Sequence, residues 1–252
     1  MKISEIETRL ALLSNPDDPF ILEMSRDGRK GVQKALEKWK KNLEKQKQAR
    51  EKFGRMLHYE NTLRQQGCRL IAGIDEAGRG PLAGPVIAAA VILPEDFYLP
   101  GLNDSKQLSA KQREAYFTGI CEKALKIGTG IIGAAEIDAF NIYQAAKKAM
   151  VQAVANLQLN PDHLLIDAME LSVPYPQTAI IKGDAKSISI AAASVIAKVT
   201  RDRMMHKLAK TYPQYGFERN MGYGTREHLK ALEHFGPCPV HRKSFAPVKD
   251  LL

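Results

Sequence analysis

Five short apolar runs between residues 69 and 182 constrain this chain more than any other feature of it. Arg69-Leu-Ile-Ala-Gly-Ile-Asp75 and Val86-Ile-Ala-Ala-Ala-Val-Ile-Leu93 read as buried strands joined across a glycine-rich segment at 78–84. Ile127-Gly-Thr-Gly-Ile-Ile-Gly133 reads as a third, although glycines weaken a strand interior. His163-Leu-Leu-Ile-Asp167 and Thr178-Ala-Ile-Ile-Lys182 complete the set. Helical patterns fall at about 142–157, at the alanine-rich stretch 187–210 that ends before Pro213, and at 225–235 in a Gly/Pro-punctuated tail. Hairpin-like strands come first, and strands alternating with helices follow. That order predicts an α/β fold with a central mixed five-stranded sheet flanked by helices and a helical C-terminal region.

The segment ahead of residue 69 has a different texture. Residues 1–70 hold 16 Lys plus Arg against 10 Asp plus Glu, which is +6 of the whole chain's net +9. A basic helical N-terminal extension, residues 1–68, is therefore expected in front of a near-neutral body at 69–252. Ser4 and Glu7 have capping-box spacing ahead of an Ile6, Leu10, Leu13 stripe, and Ser14–Pro19 breaks the pattern. A second helix is expected over 31–53, with Val32, Leu36, Trp39 and Leu43 on its apolar face and Lys34, Lys38, Lys41, Lys45 and Arg50 opposite. Trp39 lies on the apolar stripe and is read as a packing residue. The basic face is either a solvated surface or an arm that tracks a nucleic-acid backbone.

Composition excludes several classes. Hydrophobic residues make up 44% of the 252, enough for a core, so the chain is not a disordered one. It has no apolar run of membrane-spanning length, and its N-terminus has no signal-like apolar region. Cys68, Cys121 and Cys238 are too few and too scattered for a disulfide framework, so a cytoplasmic location is expected. His234, Cys238 and His241 are three possible zinc ligands, but their spacing fits no familiar zinc site.

The chemistry is expected at the strand ends. Asp75, Glu76, Asp167 and Asp184 all sit at or just past the ends of apolar strands, where a parallel sheet opens its ligand crevice. Asp is disfavoured in strands, and converging carboxylates repel unless cations neutralise them. Hard oxygen donors of this kind suit Mg²⁺ or Mn²⁺. Two such ions can clamp an in-line phosphoryl displacement. Adjacent strand residues point to opposite faces, so Asp75 and Glu76 share a site only if pairing ends there or the chain turns at once.

The string Asp75-Glu-Ala-Gly-Arg-Gly-Pro-Leu-Ala-Gly-Pro85 closely resembles the signature of the bacterial ribonuclease HII family, a type 2 ribonuclease H. Matching strings follow in family order: Leu102–Lys106 with Leu108, Leu165–Asp167, Lys182–Asp184, Ala191–Ser194, Ala197–Asp202, Tyr212–Gly216, Gly222–Thr225 and His241–Phe245. The resemblance implies an RNase H-like fold over 69–252. It implies an endoribonuclease that cuts RNA hybridised to DNA, or 5′ of ribonucleotides embedded in duplex DNA, leaving 3′-hydroxyl and 5′-phosphate ends. Ribonucleotide excision repair and primer removal are the implied uses. Asp75, Glu76, Asp167 and Asp184 match the family's catalytic carboxylates, which hold two Mn²⁺ or Mg²⁺ ions.

Gly78, Arg79 and Gly80 resemble the family element that reads the 2′-hydroxyl, the one group that separates RNA from DNA at a given nucleotide. Tyr223 resembles the tyrosine that packs on the following sugar and favours deoxyribose there. Ser105, Lys106, Ser194, Lys198 and Arg201 are expected to contact phosphate; Met221 stands where lysine is common in relatives. The expected partners are RNA–DNA hybrids and ribonucleotide-containing DNA, with no membrane, and the chain is expected to be a monomer. Two other classes compete with this reading. A non-catalytic nucleic-acid binder is opposed by the four carboxylates, which repel phosphates without metal. A general DNA nuclease is opposed by the Gly-Arg-Gly element.

Overall fold

The computed structural model describes residues 1–251. The chain forms two compact units, Met1–Gly54 and Arg55–Leu252. In the first, α1 (Ile3–Ala11), α2 (Pro19–Ser25) and most of α3 (Lys30–Met56) bury Ile6, Leu10, Phe20, Ile21, Leu36 and Trp39 together. The Trp39 indole donates to the Leu13 carbonyl at 2.9 Å, which fits its reading as a packing residue. Helix α1 begins ahead of the expected Ser4–Glu7 box, and Glu5 closes its first turn by accepting the Lys2 amide at 3.0 Å. The break at 14–19 is also a helix start: Asp18 accepts the Phe20 amide at 2.9 Å, and Pro19 supplies a preset φ. Lys34, Lys38, Lys41, Lys45 and Arg50 are exposed along α3.

The second unit contains α4 (His58–Gln65), β1 (Ile71–Ala77), β2 (Val86–Ile92), α5 (Ala110–Lys123), β3 (Lys126–Ile132), α6 (Ala134–Phe140) and α7 (Ile142–Ala155). These are followed by β4 (His163–Asp167), β5 (Gln177–Ile180), α8 (Ile188–Thr211), α9 (Phe217–Asn220) and α10 (Arg226–Phe235). The sheet order is β3-β2-β1-β4-β5. β1, β2 and β3 are antiparallel neighbours, while β1, β4 and β5 run parallel. Helix α7 covers one face through Ala145, Ala146, Ala149, Met150 and Ala153. Ile190 of α8, with Leu63 and Tyr59 of α4, packs on Ile71, Leu165 and Ile180 of the other face. The expected boundary at residue 68 thus falls past α4, which packs with the sheet.

The strands differ from expectation at their ends, for local reasons. β1 starts at Ile71 because Asp162 Oδ2 takes the amides of Arg69 and Leu70, both at 2.8 Å. It runs on to Ala77 because its ladder with β2 holds to the Ala77–Ile87 pair. β5 stops at Ile180, and Lys182 turns left-handed (φ 57°, ψ 45°) to open a 3₁₀ turn over Gly183–Ala185. The glycines of β3 bring a helix close: a Cβ on Gly130 would stand 2.0 Å from the Ala149 carbonyl oxygen, and one on Gly128 2.1 Å from that of Ala153. Gln152 of α7 accepts the Ile131 amide at 3.2 Å, and Asn156 donates to the Thr129 carbonyl at 2.8 Å. Among the described residues, no helix is long and apolar enough to cross a membrane.

Candidate active site

The site opens where the sheet parts. β1 pairs with β4 only as far as Ile74–Ile166, but with β2 to Ala77. Asp75 and Asp167 fall just past the last β1–β4 pair. By alternation both share the α8 face with Ile71 and Leu165. Glu76 alternates to the other side, and pairing with β2 does not end there. Its side chain nonetheless lines the same cleft as Asp167. Asp184 enters from the 3₁₀ turn, whose Gly183 amide donates to Asp167 Oδ1 at 2.7 Å.

Asp75, Glu76 and Asp184 lack sufficient compensation. Burial pushes Asp75 well above the usual carboxylate range. The charges of Glu76 and Asp167 add to that, against hydrogen bonds from Ser194 and the Glu76 amide. Burial likewise raises Glu76, although Arg79 opposes it through a 3.2 Å ion pair. Asp184 is raised to about 6, first by burial and then by the charges of Asp104 and Asp167. Lys106 stands 3.9 Å from Asp184 with its side chain 79% exposed. Burial lowers the Lys106 pKa, but the summed charge of Asp104, Asp75, Asp184 and Asp167 outweighs it and holds the ammonium above its usual range.

No three His, Cys, Asp or Glu side chains among the described residues form a ready-made metal cage. The carboxylates turn instead to donors of the chain itself: Asp75 to the Glu76 amide at 2.7 Å, Asp167 to Gly183, and Asp184 towards Lys106. The donor set still fits a divalent cation. Every candidate donor is a hard carboxylate oxygen, and Glu76 Oε2 is buried with no hydrogen-bond partner.

A cleft of about 400 Å³ collects Glu76, Ala77, Gly78, Arg79, Gly80, Ser105, Lys106, Asp167, Ser194, Lys198, Arg201 and Tyr223. Ser105 and Ser194 share a hydroxyl hydrogen bond of 2.9 Å beside it. Lys198 is tied to Asp202 at 2.6 Å. The Tyr223 ring is about half exposed and would lie 3.6 Å from a Cβ on Gly80. Among the described hydrogen bonds, the amides of Arg79 and Gly80 have no internal acceptor, and both residues are exposed.

Arg201 needs a correction. Expected at phosphate, it is 1% exposed and gives Nε, Nη1 and Nη2 to the carbonyls of Pro85, Met221 and Ala83. The close approach of its guanidinium also demands a glycine at position 78, where φ is 98° and a Cβ would stand 2.2 Å from Arg201 Nε. Beside it lies Arg242, which sequence reasoning missed. It is fully buried and donates to the carbonyls of Gly78, Arg79 and Gly84. Burial, followed by the like charge of Arg201, lowers the Arg242 pKa to about 9, so it remains charged at neutral pH. Backbone carbonyls thus stand in for a counter-ion, and the two arginines hold the 78–85 and 221–223 segments together. The signal was available in His241-Arg-Lys-Ser-Phe245, where an arginine beside an apolar-flanked histidine reads as surface charge.

Behind Tyr223 the structure brings Cys238 and His241 together with His228, while His234 is exposed against Phe235. His228 Nδ1 meets the Tyr223 carbonyl at 2.9 Å and so donates. His241 Nδ1 meets the Cys238 amide at 2.9 Å and so accepts. The proton between the rings, 2.9 Å apart at Nε2, therefore sits on His241, and both imidazoles are neutral. Burial, then the neighbouring His228, lowers His241 to about 4. The unfolded chain takes up a proton near pH 6.5 that the folded chain refuses until about pH 4. Stability is then complete above pH 6.5 and falls through that window by about 3 kcal/mol. The check is a urea midpoint at pH 7 and pH 4.5 for the wild type and for His241→Gln, in which the contribution should vanish.

Residues 72–248 match the ribonuclease HII family, and residues 2–64 match the ribonuclease HII N-terminal domain. The chain belongs to the ribonuclease HII family. As a ribonuclease H it is a hydrolase. Ribonuclease HII of Bacillus cereus (strain B4264) is 58% identical over 252 residues, covering 100% of this chain and 98% of that protein. Ribonuclease HII of Bacillus cytotoxicus is 57% identical over 250 residues, covering 99% and 96%. The crystal structure of ribonuclease H2 from Pyrococcus horikoshii OT3 superposes with a TM-score of 0.61 at 27% identity, covering 72% of this chain and 96% of its own. The RNase H-like architecture expected from the sequence is the one shared with that structure.

Proposed function

We propose that this member of the family is an endonuclease for the RNA strand of RNA–DNA hybrids and for ribonucleotides embedded in duplex DNA. It cuts on the 5′ side of the ribonucleotide and leaves 3′-hydroxyl and 5′-phosphate ends. Ribonucleotide excision repair and primer removal are the corresponding roles. One observation supports the reading: Glu76 and Asp167 line one cleft with a Gly-Arg-Gly loop whose amides are free, and the poorly compensated Asp75 and Asp184 adjoin them.

Asp75, Glu76, Asp167 and Asp184 would hold a pair of Mn²⁺ or Mg²⁺ ions. Bound there, such ions would supply an activated water for attack on phosphorus and charge stabilisation for the leaving 3′ oxygen. The chain's own residues do the rest. The amides of Arg79 and Gly80, turned outward as Arg242 takes the carbonyls of Gly78 and Arg79, would donate to a 2′-hydroxyl. The Lys106 ammonium, at the end of an exposed side chain 3.9 Å from Asp184, would turn from it to a phosphate. Tyr223 offers its exposed ring to the next sugar. Replacing it by alanine should lower kcat/KM at a single ribonucleotide about tenfold, the scale of one stacking contact. Equal rates on a single ribonucleotide and on a long RNA tract in both forms would remove that role.

The function itself is tested with one duplex carrying a single ribonucleotide beside an all-DNA control, each with Mg²⁺, Mn²⁺ or a chelator. Cleavage only at the ribonucleotide and only with metal is expected. Cutting of the DNA control, or turnover in chelator, refutes the reading.

A further inference from the structure

Glu60 lies in α4, ahead of every strand, and is 2% exposed. Its Oε1 accepts three hydrogen bonds from the start of α8: Ser187 Oγ at 2.6 Å, the Ser189 amide at 3.0 Å and Ser189 Oγ at 2.5 Å. Its other oxygen, Oε2, is buried without a partner. Helix capping explains only part of this arrangement. Ser187 caps α8 by accepting the Ile190 amide at 3.2 Å, and Glu60 takes a second open amide of the first turn, but the two serine hydroxyls it also binds and the unsatisfied oxygen it leaves in the interior go beyond what a cap requires. What Glu60 adds is location, because it fixes the first turn of α8 against α4.

Three parts of the candidate site are referenced to that turn. The Ser187 amide donates to the Gly183 carbonyl at 2.8 Å, and Gly183 in turn orients Asp167 and precedes Asp184. Ser189 lies against Gly73 of β1, two residues before Asp75. Helix α8 itself carries Ser194, which lines the cleft and shares a 2.9 Å hydroxyl hydrogen bond with Ser105. We propose that Glu60 is a positioning residue that sets the spacing of the carboxylates through Ser187 and Ser189. The inference rests on the function proposed above, and it extends the working parts of the enzyme to a helix outside the stretch that matches the catalytic family.

The test compares full-length wild type, Glu60→Ala, Glu60→Gln and the double variant Ser187→Ala/Ser189→Ala. The first readout needs no turnover: the Mn²⁺ concentration that gives half of the metal-induced rise in melting temperature. The second is kcat against KM on the single-ribonucleotide duplex. Glu60→Ala should raise the half-effective Mn²⁺ about tenfold and lower kcat about tenfold, with KM within twofold, the scale seen when an outer-shell partner of a metal site is lost. Glu60→Gln keeps an acceptor oxygen and should stay within about threefold of wild type on both. The serine variant, which leaves Glu60 in place, should follow Glu60→Ala and serves if the latter does not fold. A lower melting temperature with wild-type Mn²⁺ response and kcat would reduce Glu60 to a packing residue, and a glutamine form as impaired as alanine would also overturn the proposal. A wild type that fails to cleave refutes the function alone, since the Mn²⁺ response is read without cleavage.

Discussion

Asp75→Asn should lose at least about a thousandfold in kcat, equivalent to about 4 kcal/mol of barrier, because it removes the carboxylate most deeply placed at the β1–β4 parting. The amide is nearly isosteric and can still accept from the Glu76 amide, so the fold should persist. Duplex binding in chelator should be unchanged or tighter, since one negative group facing phosphates is gone. The metal-free melting temperature should rise, because Asp75 is held near Glu76 and Asp167 against burial and like charge. Single-turnover cleavage, a binding titration and a melting curve check the three parts separately. Appreciable metal-dependent turnover by Asp75→Asn would remove the two-ion reading.

Arg242→Ala should have the largest effect on stability, about 4 kcal/mol, which for a unit of this size lowers the melting temperature by about 10 °C. The loss follows from the carbonyls of Gly78, Arg79 and Gly84, which are left without donors in a closed interior. Arg242→Lys should recover little, because one ammonium cannot span three carbonyls as a planar fork does. At a temperature where the alanine form is folded, its preference for a ribonucleotide over the all-DNA control should narrow, since the amides of Arg79 and Gly80 are no longer held outward. A variant that melts as wild type does would show that the loop supports itself.

Most of the sheet was legible because each strand is a short β-branched or alanine-rich run that ends at a turn signal. The errors lie where a side chain outside the strand decides its end. Asp162 competes for the first amides of β1, and the left-handed Lys182 cuts β5 short. Helix α5 was missed although Ser109 and Gln112 form a capping box at its start. At the site, residues in one contiguous string could be read together, whereas partners fixed by the fold could not. Arg201 looked like a phosphate ligand because charge reads as exposure in one dimension, and only the fold reveals the carbonyls that enclose it. The pairing of His241 with His228 was equally invisible, since they are thirteen positions apart and His228 lies within α10.

The approach of α7 to β3 has a consequence for solubility. An outermost strand normally presents a row of unpaired amides and carbonyls on which a second chain can add a strand. Here Gln152 and Asn156 engage the Ile131 amide and the Thr129 carbonyl. A neighbouring molecule would have to displace both side chains to extend the sheet from that margin, so growth into edge-to-edge aggregates is blocked there by the protein's own helix.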